Sequence, residues 1–208
     1  GVVYVSVTRS RDQVLNEVQG AFGTSYHDVL SRHLTFHDLS PSYFADSVVP
    51  SSWSSLRSSL LSGHSEAKLG ENGPLRGIAD ALETNAGTSL VIIDSLTDLL
   101  VRRGIEVEDL LTLVKGLRRR AKTWNGLVYL ILSRGVAPAA IEQALVDSVD
   151  GVLTFAWSSS ASHSTRQRTM LIEKFMPVLA RVPHEHQGRF VIRVGALNGL
   201  VTTQYERV

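Results

Sequence analysis

The chain has 208 residues, 43% of them apolar and 20% charged, with a net charge of +1 and no cysteine. That length fits one domain with a full hydrophobic core, and the near-zero charge offers no electrostatic case for wrapping nucleic acid or lying on an anionic membrane. The lack of cysteine removes disulfides and thiolate metal sites, no apolar run approaches the roughly 20 residues of a membrane span, and no basic-then-apolar leader opens the chain. A cytoplasmic globular protein is the expectation.

Val2–Val7 is β-branched and aromatic, which predicts a strand with no polar lead-in. A chain that opens inside a strand is expected to have its natural start upstream. Ser10 and Asp12 introduce a helix over Arg11–Phe22, with Val14, Leu15 and Val18 at helical spacing. Leu34–Leu39 reads as a second short strand. Ser40–Gly73 is rich in Ser, Pro and Gly and predicts an exposed, mobile insertion, although Trp53, Leu56, Leu60 and Leu61 could dock a short helix. Pro74–Thr84 is amphipathic through Leu75, Ile78, Ala79 and Leu82. Ser89–Asp94 is a continuous apolar strand ending in an acid. Val107–Lys122 predicts a helix closed by Arg118, Arg119 and Arg120, cations that favour a helix C-terminus. Gly126–Ser133 reads as another apolar strand and Pro138–Val146 as a helix. GVLTFAW, RTMLIEKF, RFVIRV and LVTTQY close the chain as strands with little helix between them.

Alternating strands and helices call for a parallel sheet covered on both faces, and the closing run of strands calls for antiparallel hairpins. The expected fold class is therefore α/β, a three-layer arrangement with a mainly parallel central sheet and antiparallel C-terminal strands. One domain spans 1–208, with 40–73 as its variable Ser-rich insertion.

Four segments carry a resemblance. GVVYVSVTRSRDQV, SLVIIDSLTDLL, GLVYLILS, and DGVLTFAW with RTMLIEKF and RFVIRVGALNGL resemble, in order and spacing, the KaiC-like members of the RecA superfamily of ATPases. Each motif is weak alone; their order is the specific signal. The resemblance implies a nucleotide site built from a phosphate loop, paired glutamates after one strand, a Walker B acid and a cation reaching a neighbouring subunit. Phosphoryl transfer needs such positioning and charge neutralisation more than covalent chemistry.

Set against that pattern, the residues fall short. No Gly-x-x-x-x-Gly-Lys-Ser/Thr loop occurs in these residues; in the family it precedes the segment that begins here, so Mg-ATP is implied only if such a loop lies upstream. The positions matching the paired glutamates hold Thr8 and Arg9, neither of which accepts a proton at neutral pH. Read without the resemblance, both are strand-end surface residues. Asp94 stands where a Walker B acid would hold magnesium, or else caps the next turn through a backbone N–H. Ser95 follows it as in the family. Lys174 falls on the lysine of a Lys-x-Arg-Gly motif, but Met176 replaces the arginine that would stabilise transition-state charge; Lys174 then also reads as an ordinary strand-end lysine. Ser133 ends the strand that carries a polar sensor residue in the family, and is ordinary turn chemistry otherwise. The nucleotide and magnesium candidates are thus Asp94, Ser95, Ser133 and Lys174, with Asp94 as the metal ligand. His184 and His186 sit in a polar loop after Pro183. His33 and His37 flank a short strand, and alternation places them on one face without a third ligand.

In RecA-like sheets the phosphate-loop strand lies between the core strands and the C-terminal strands. Its absence here would leave two unpaired edges, closed by an upstream segment, by a strand from a neighbour, or by a rearranged sheet. The expected function is a degenerate RecA/KaiC-like ATPase-family domain serving as a non-hydrolysing binding, regulatory or assembly module; the resemblance implies a prokaryotic, including archaeal, signalling or regulatory role. Self-association or a paralogous RecA-like subunit is the partner it implies. The rivals are an active ATPase whose phosphate loop lies upstream, and a non-catalytic subunit of a RecA-like ring similar to the small Elongator subunits.

Overall fold

The computed structural model describes residues 1–45, 47–50, 52–53, 73–85, 90–158, 167–175, 179–181 and 189–204. Four short apolar segments, β1 (Val2–Ser6), β2 (Leu34–Asp38), β3 (Leu90–Asp94) and β4 (Leu127–Leu130), form a parallel sheet in the order β2-β1-β3-β4. The C-terminal strands β5 (Val152–Ser158), β6 (Gln167–Lys174), β7 (Arg189–Gly195) and β8 (Gly199–Gln204) form a second, antiparallel sheet in chain order. Among the described residues no strand pairs with the outer edge of β4 or of β5.

Helices α1 (Arg11–Phe22), α2 (Thr24–His33), α3 (Ser40–Phe44), α4 (Gly73–Asn85), α5 (Leu96–Val101), α6 (Val107–Trp124) and α7 (Ala139–Ser148) accompany the strands. No helix among the described residues is long and apolar enough to cross a membrane. Parallel register sets Val3 level with Val91 and Val5 level with Ile93, and carries the rows on to Val128 and Leu130. Because side chains alternate along a strand, these residues share one face. They form the core together with Ile78 and Leu82 of α4 and Leu110, Val114 and Leu117 of α6. Each fully buried aliphatic side chain contributes about 1.5–3 kcal/mol, so this face is the principal source of stability.

The opposite face carries Tyr4 level with Phe36 and Ile92, and the Tyr4 and Phe36 rings stack at 5.6 Å. Toward β4 that face is open, with Leu127, Tyr129 and Ile131 exposed. The second sheet likewise leaves Leu153, Phe155, Trp157, Val194 and Leu200 exposed.

Polar contacts tie the second sheet and the turn before it to the helices and loops around the first. Lys174 Nζ donates to the carbonyls of Val146 and Asp147 at the end of α7, at 2.8 and 3.3 Å. Arg134, just past β4, pairs with Glu173 of β6 at 3.0 Å. Arg118 of α6 pairs with Asp150, in the turn before β5, at 2.8 Å.

Several expectations need correction. The β4 strand stops at Leu130, because the carbonyl of Ile131 turns to accept from Leu96 N–H at the start of α5. The basic run of α6 does not close that helix, which continues to Trp124 and ends on left-handed Asn125; Arg120 instead lies over the Trp124 ring. Helix α2 was not expected, and α3, with Ser40 and Ser42 buried, replaces the first turn of the presumed insertion. Val48 and Trp53 are exposed; the remainder of that segment, 54–72, lies outside the described residues, as does the expectation of mobility placed on it.

Candidate functional site: the strand-end cluster around Asp94

Strands β1 and β3 run side by side and end level, Ser6 beside Asp94, and Val7 N–H continues the ladder to the Asp94 carbonyl at 2.8 Å. The chain then turns sharply. The buried Ser6 hydroxyl accepts from Arg9 N–H at 2.9 Å, which draws Arg9 back over the strand ends. Helix α1 starts immediately afterwards, capped by Ser10, whose Oγ accepts from Gln13 N–H while the Gln13 side chain accepts from Ser10 N–H. The position of Arg9 is therefore set by a buried serine before it and a capping box after it.

The Arg9 guanidinium occupies the centre of the cluster. Its Nη2 donates to Asp94 Oδ2 and, at 2.9 Å, to the Tyr4 hydroxyl. Nη1 donates to Glu17 Oε2 of α1 at 2.5 Å. The Tyr4 hydroxyl donates in turn to the same Asp94 Oδ2 at 2.5 Å. The Asp94 side chain is only 12% exposed, that of Arg9 35%. Burial, and then the hydrogen bond to Asp94, push the Tyr4 phenol well above its ordinary value. Burial alone would lower the Arg9 value, but the Asp94 hydrogen bond and the neighbouring charges outweigh it and hold the guanidinium more firmly protonated than usual. Asp94 Oδ2 is thus a charge-compensated acceptor for two donors.

The remaining candidates do different work. Ser95 is the N-cap of α5: its Oγ accepts from Asp98 N–H at 3.2 Å and donates to Asp98 Oδ2 at 2.7 Å. Ser133 lies at the same sheet end, its N–H donating to Thr97 Oγ1 at 2.8 Å. Thr8 is half-buried at the strand exit. Lys174 is not drawn to this cluster; its ammonium satisfies carbonyls that the end of α7 leaves unpaired. His33 is the last residue of α2 rather than part of a strand, so alternation does not pair it with His37, and no group of three metal-ligating side chains occurs among the described residues. Met176, His184 and His186 lie outside the described residues.

Sequence reasoning missed Tyr4 and Glu17. A phenol inside an otherwise aliphatic strand, two residues before the residue level with the acid, was the available signal for Tyr4. Glu17 is placed only by the direction α1 takes, which no local pattern encodes.

No family model and no curated protein matches this sequence. Solved structures do. The crystal structure of the flagellar accessory protein FlaH from Methanocaldococcus jannaschii superposes with a TM-score of 0.62 at 14% identity, over 99% of this chain and 77% of that one. The KaiC-like protein PH0186 from Pyrococcus horikoshii OT3 gives 0.59 at 18% identity, over 98% of this chain and 76% of that one. At such identities the likeness is one of fold, and the parallel sheet, its covering helices and the antiparallel C-terminal strands all take part in it. What the chain shares with FlaH and with the KaiC-like protein PH0186 is therefore their fold.

Proposed function

We propose that the chain is a degenerate RecA-like domain that does not hydrolyse nucleotide and works as a regulatory or assembly module. The observation that carries this reading is the ion pair between Arg9 and Asp94. The family's chemistry needs an acid at the first position, to activate water, and an uncommitted acid at the second. Here a cation at the first position is bonded to the second. A guanidinium cannot serve as a general base, and its partner carboxylate is already neutralised.

A strand from a second copy of the chain is one way to close the edges of β4 and β5 that are unpaired among the described residues. Strands β4, LVYL, and β5, VLTFAWS, carry neither charge nor proline, the devices by which free edges are usually protected. With a net charge of +1, little repulsion opposes a second copy of the chain at those edges. One solved structure of the same fold is named as an accessory protein, and an accessory role suits a domain without turnover.

A steady-state ATPase assay with magnesium, run beside Asp94→Ala, tests the reading. No turnover in either protein is expected. Turnover that vanishes in Asp94→Ala would overturn it and make Asp94 a working metal ligand; equal turnover in both identifies a contaminating activity and leaves the reading in place.

A further inference from the structure

We infer that Arg9 is the resident cation of the Asp94 site, a fixed guanidinium in the place that the fold family gives to a divalent metal ion. The inference rests on the non-hydrolysing reading and goes on to name what neutralises the strand-end acid. Magnesium demands a near-octahedral shell of oxygens at about 2.0–2.1 Å. Asp94 Oδ2, the oxygen at the centre of the cluster, instead accepts hydrogen bonds from the Tyr4 hydroxyl and an Arg9 N–H, and a full positive charge lies against it. A divalent ion bound there would have to displace both donors and sit beside a like charge. The residues present do not fit a metal.

They do fit a guanidinium. Its planar fork reaches two carboxylates at once, the mostly buried Asp94 through Nη2 and the more exposed Glu17 through Nη1, and it bonds the phenol oxygen between. The groups facing it are Tyr4, Glu17 and Asp94. The acid of the next strand, Asp38, accepts from Ser40 N–H at 2.8 Å, so it is committed to the start of α3. The backbone is committed as well: the Ser6 hydroxyl holds Arg9 N–H, and the Ser10 capping box begins one residue later. A side chain that merely drifted onto a nearby acid would not need both anchors. In chemical terms the site takes one organic monocation supplied by its own strand, and it is closed to inorganic divalent ions as long as that cation is present.

The experiment is a thermal melt without nucleotide, in chelator and in millimolar magnesium chloride, of the wild-type chain, Asp94→Asn, Arg9→Glu and the Arg9→Glu/Asp94→Asn double variant. Wild type is expected to melt at the same temperature in both. Arg9→Glu removes the resident cation and adds a carboxylate beside Asp94 and Glu17; it should melt several degrees lower in chelator and recover with magnesium, and the double variant should lose that response. A magnesium-dependent rise in the wild type that Asp94→Asn abolishes would overturn the inference, as would an Arg9→Glu protein that folds with no response to magnesium. Should Arg9→Glu not fold, Arg9→Met decides by manganese binding followed by electron paramagnetic resonance: a bound ion lost on adding Asp94→Asn supports the inference, and no binding refutes it. Without nucleotide present, the outcome is separate from turnover: ATPase activity in the wild type would sink the functional reading and leave these melts to be judged on their own.

Discussion

The hydroxyl of Tyr4 and the guanidinium of Arg9 converge on one acceptor, Asp94 Oδ2, so removing that acceptor strands two donors. Asp94→Ala is expected to lower stability by about 1–3 kcal/mol, short of the ~3–5 kcal/mol for breaking a fully buried pair because water still reaches the Arg9 side chain. Urea denaturation reads the loss, and an unchanged midpoint would show that the pair holds nothing together. His37 on β2 makes a second residue-scale expectation. Burial pushes its imidazole below the ordinary 6.5, so the folded chain binds that proton more weakly than the unfolded one. The associated stability is present above pH 6.5 and is lost as pH falls toward the folded value. The urea midpoint should therefore drop on acidification below 6.5, and His37→Gln should drop less; parallel curves would remove His37 as the cause. Arg9 and Asp94 were both legible in the sequence as positions of interest, one for what it lacked and the other for where it stood. Their contact was not legible, because it depends on β1 and β3 being neighbours in parallel register with level ends.

At the scale of elements, α1 links local sequence to the site. Its capping box fixes where the helix begins, two residues after Arg9, and so fixes where Glu17 arrives two turns later. Ser10→Ala is expected to cost about 0.5–2 kcal/mol, measured by urea denaturation, and in a double-mutant cycle with Glu17→Gln the two losses should be less than additive, since fraying of α1 already releases Glu17. Strict additivity would mean that the cap does not position that side chain. The long helix α6 was readable because Leu110, Val114 and Leu117 recur on one face and are buried. Helix α2 carries Tyr26, Val29 and Leu30 at helical spacing but buries no residue, and so short an apolar period among polar neighbours is easily passed over. It follows α1 across Gly23, whose φ of 85° breaks the chain direction in a region glycine enters freely. The far end of β4 misled for the opposite reason: ILS is apolar enough for a strand, but α5 captures its backbone first.

For the whole molecule, the layout of parallel then antiparallel strands followed from the order of elements, whereas unpaired edges at β4 and β5 were implied only by the resemblance. The side chains left open at those edges could be known only once the faces were assigned. Tyr129 and Phe155, 43% and 56% exposed, stand on β4 and β5 and are the natural probes of assembly. Light scattering on a sizing column should give the isolated chain a mass above that of one copy, and Tyr129→Lys with Phe155→Lys should shift it to a single copy, since charge on an edge strand opposes pairing. A wild-type chain that elutes as one copy at every concentration would argue against self-association.

The ties around the second sheet have a mechanical consequence. Arg134–Glu173 and Arg118–Asp150 each keep at least one partner well in solvent, where charge is screened beyond about 8 Å at physiological ionic strength. Lys174 instead grips the end of α7 through carbonyls, a contact that salt weakens less. Raising the salt concentration should therefore weaken the two ion pairs more than the Lys174 contacts, and leave the antiparallel strands held to the end of α7 chiefly through that one ammonium.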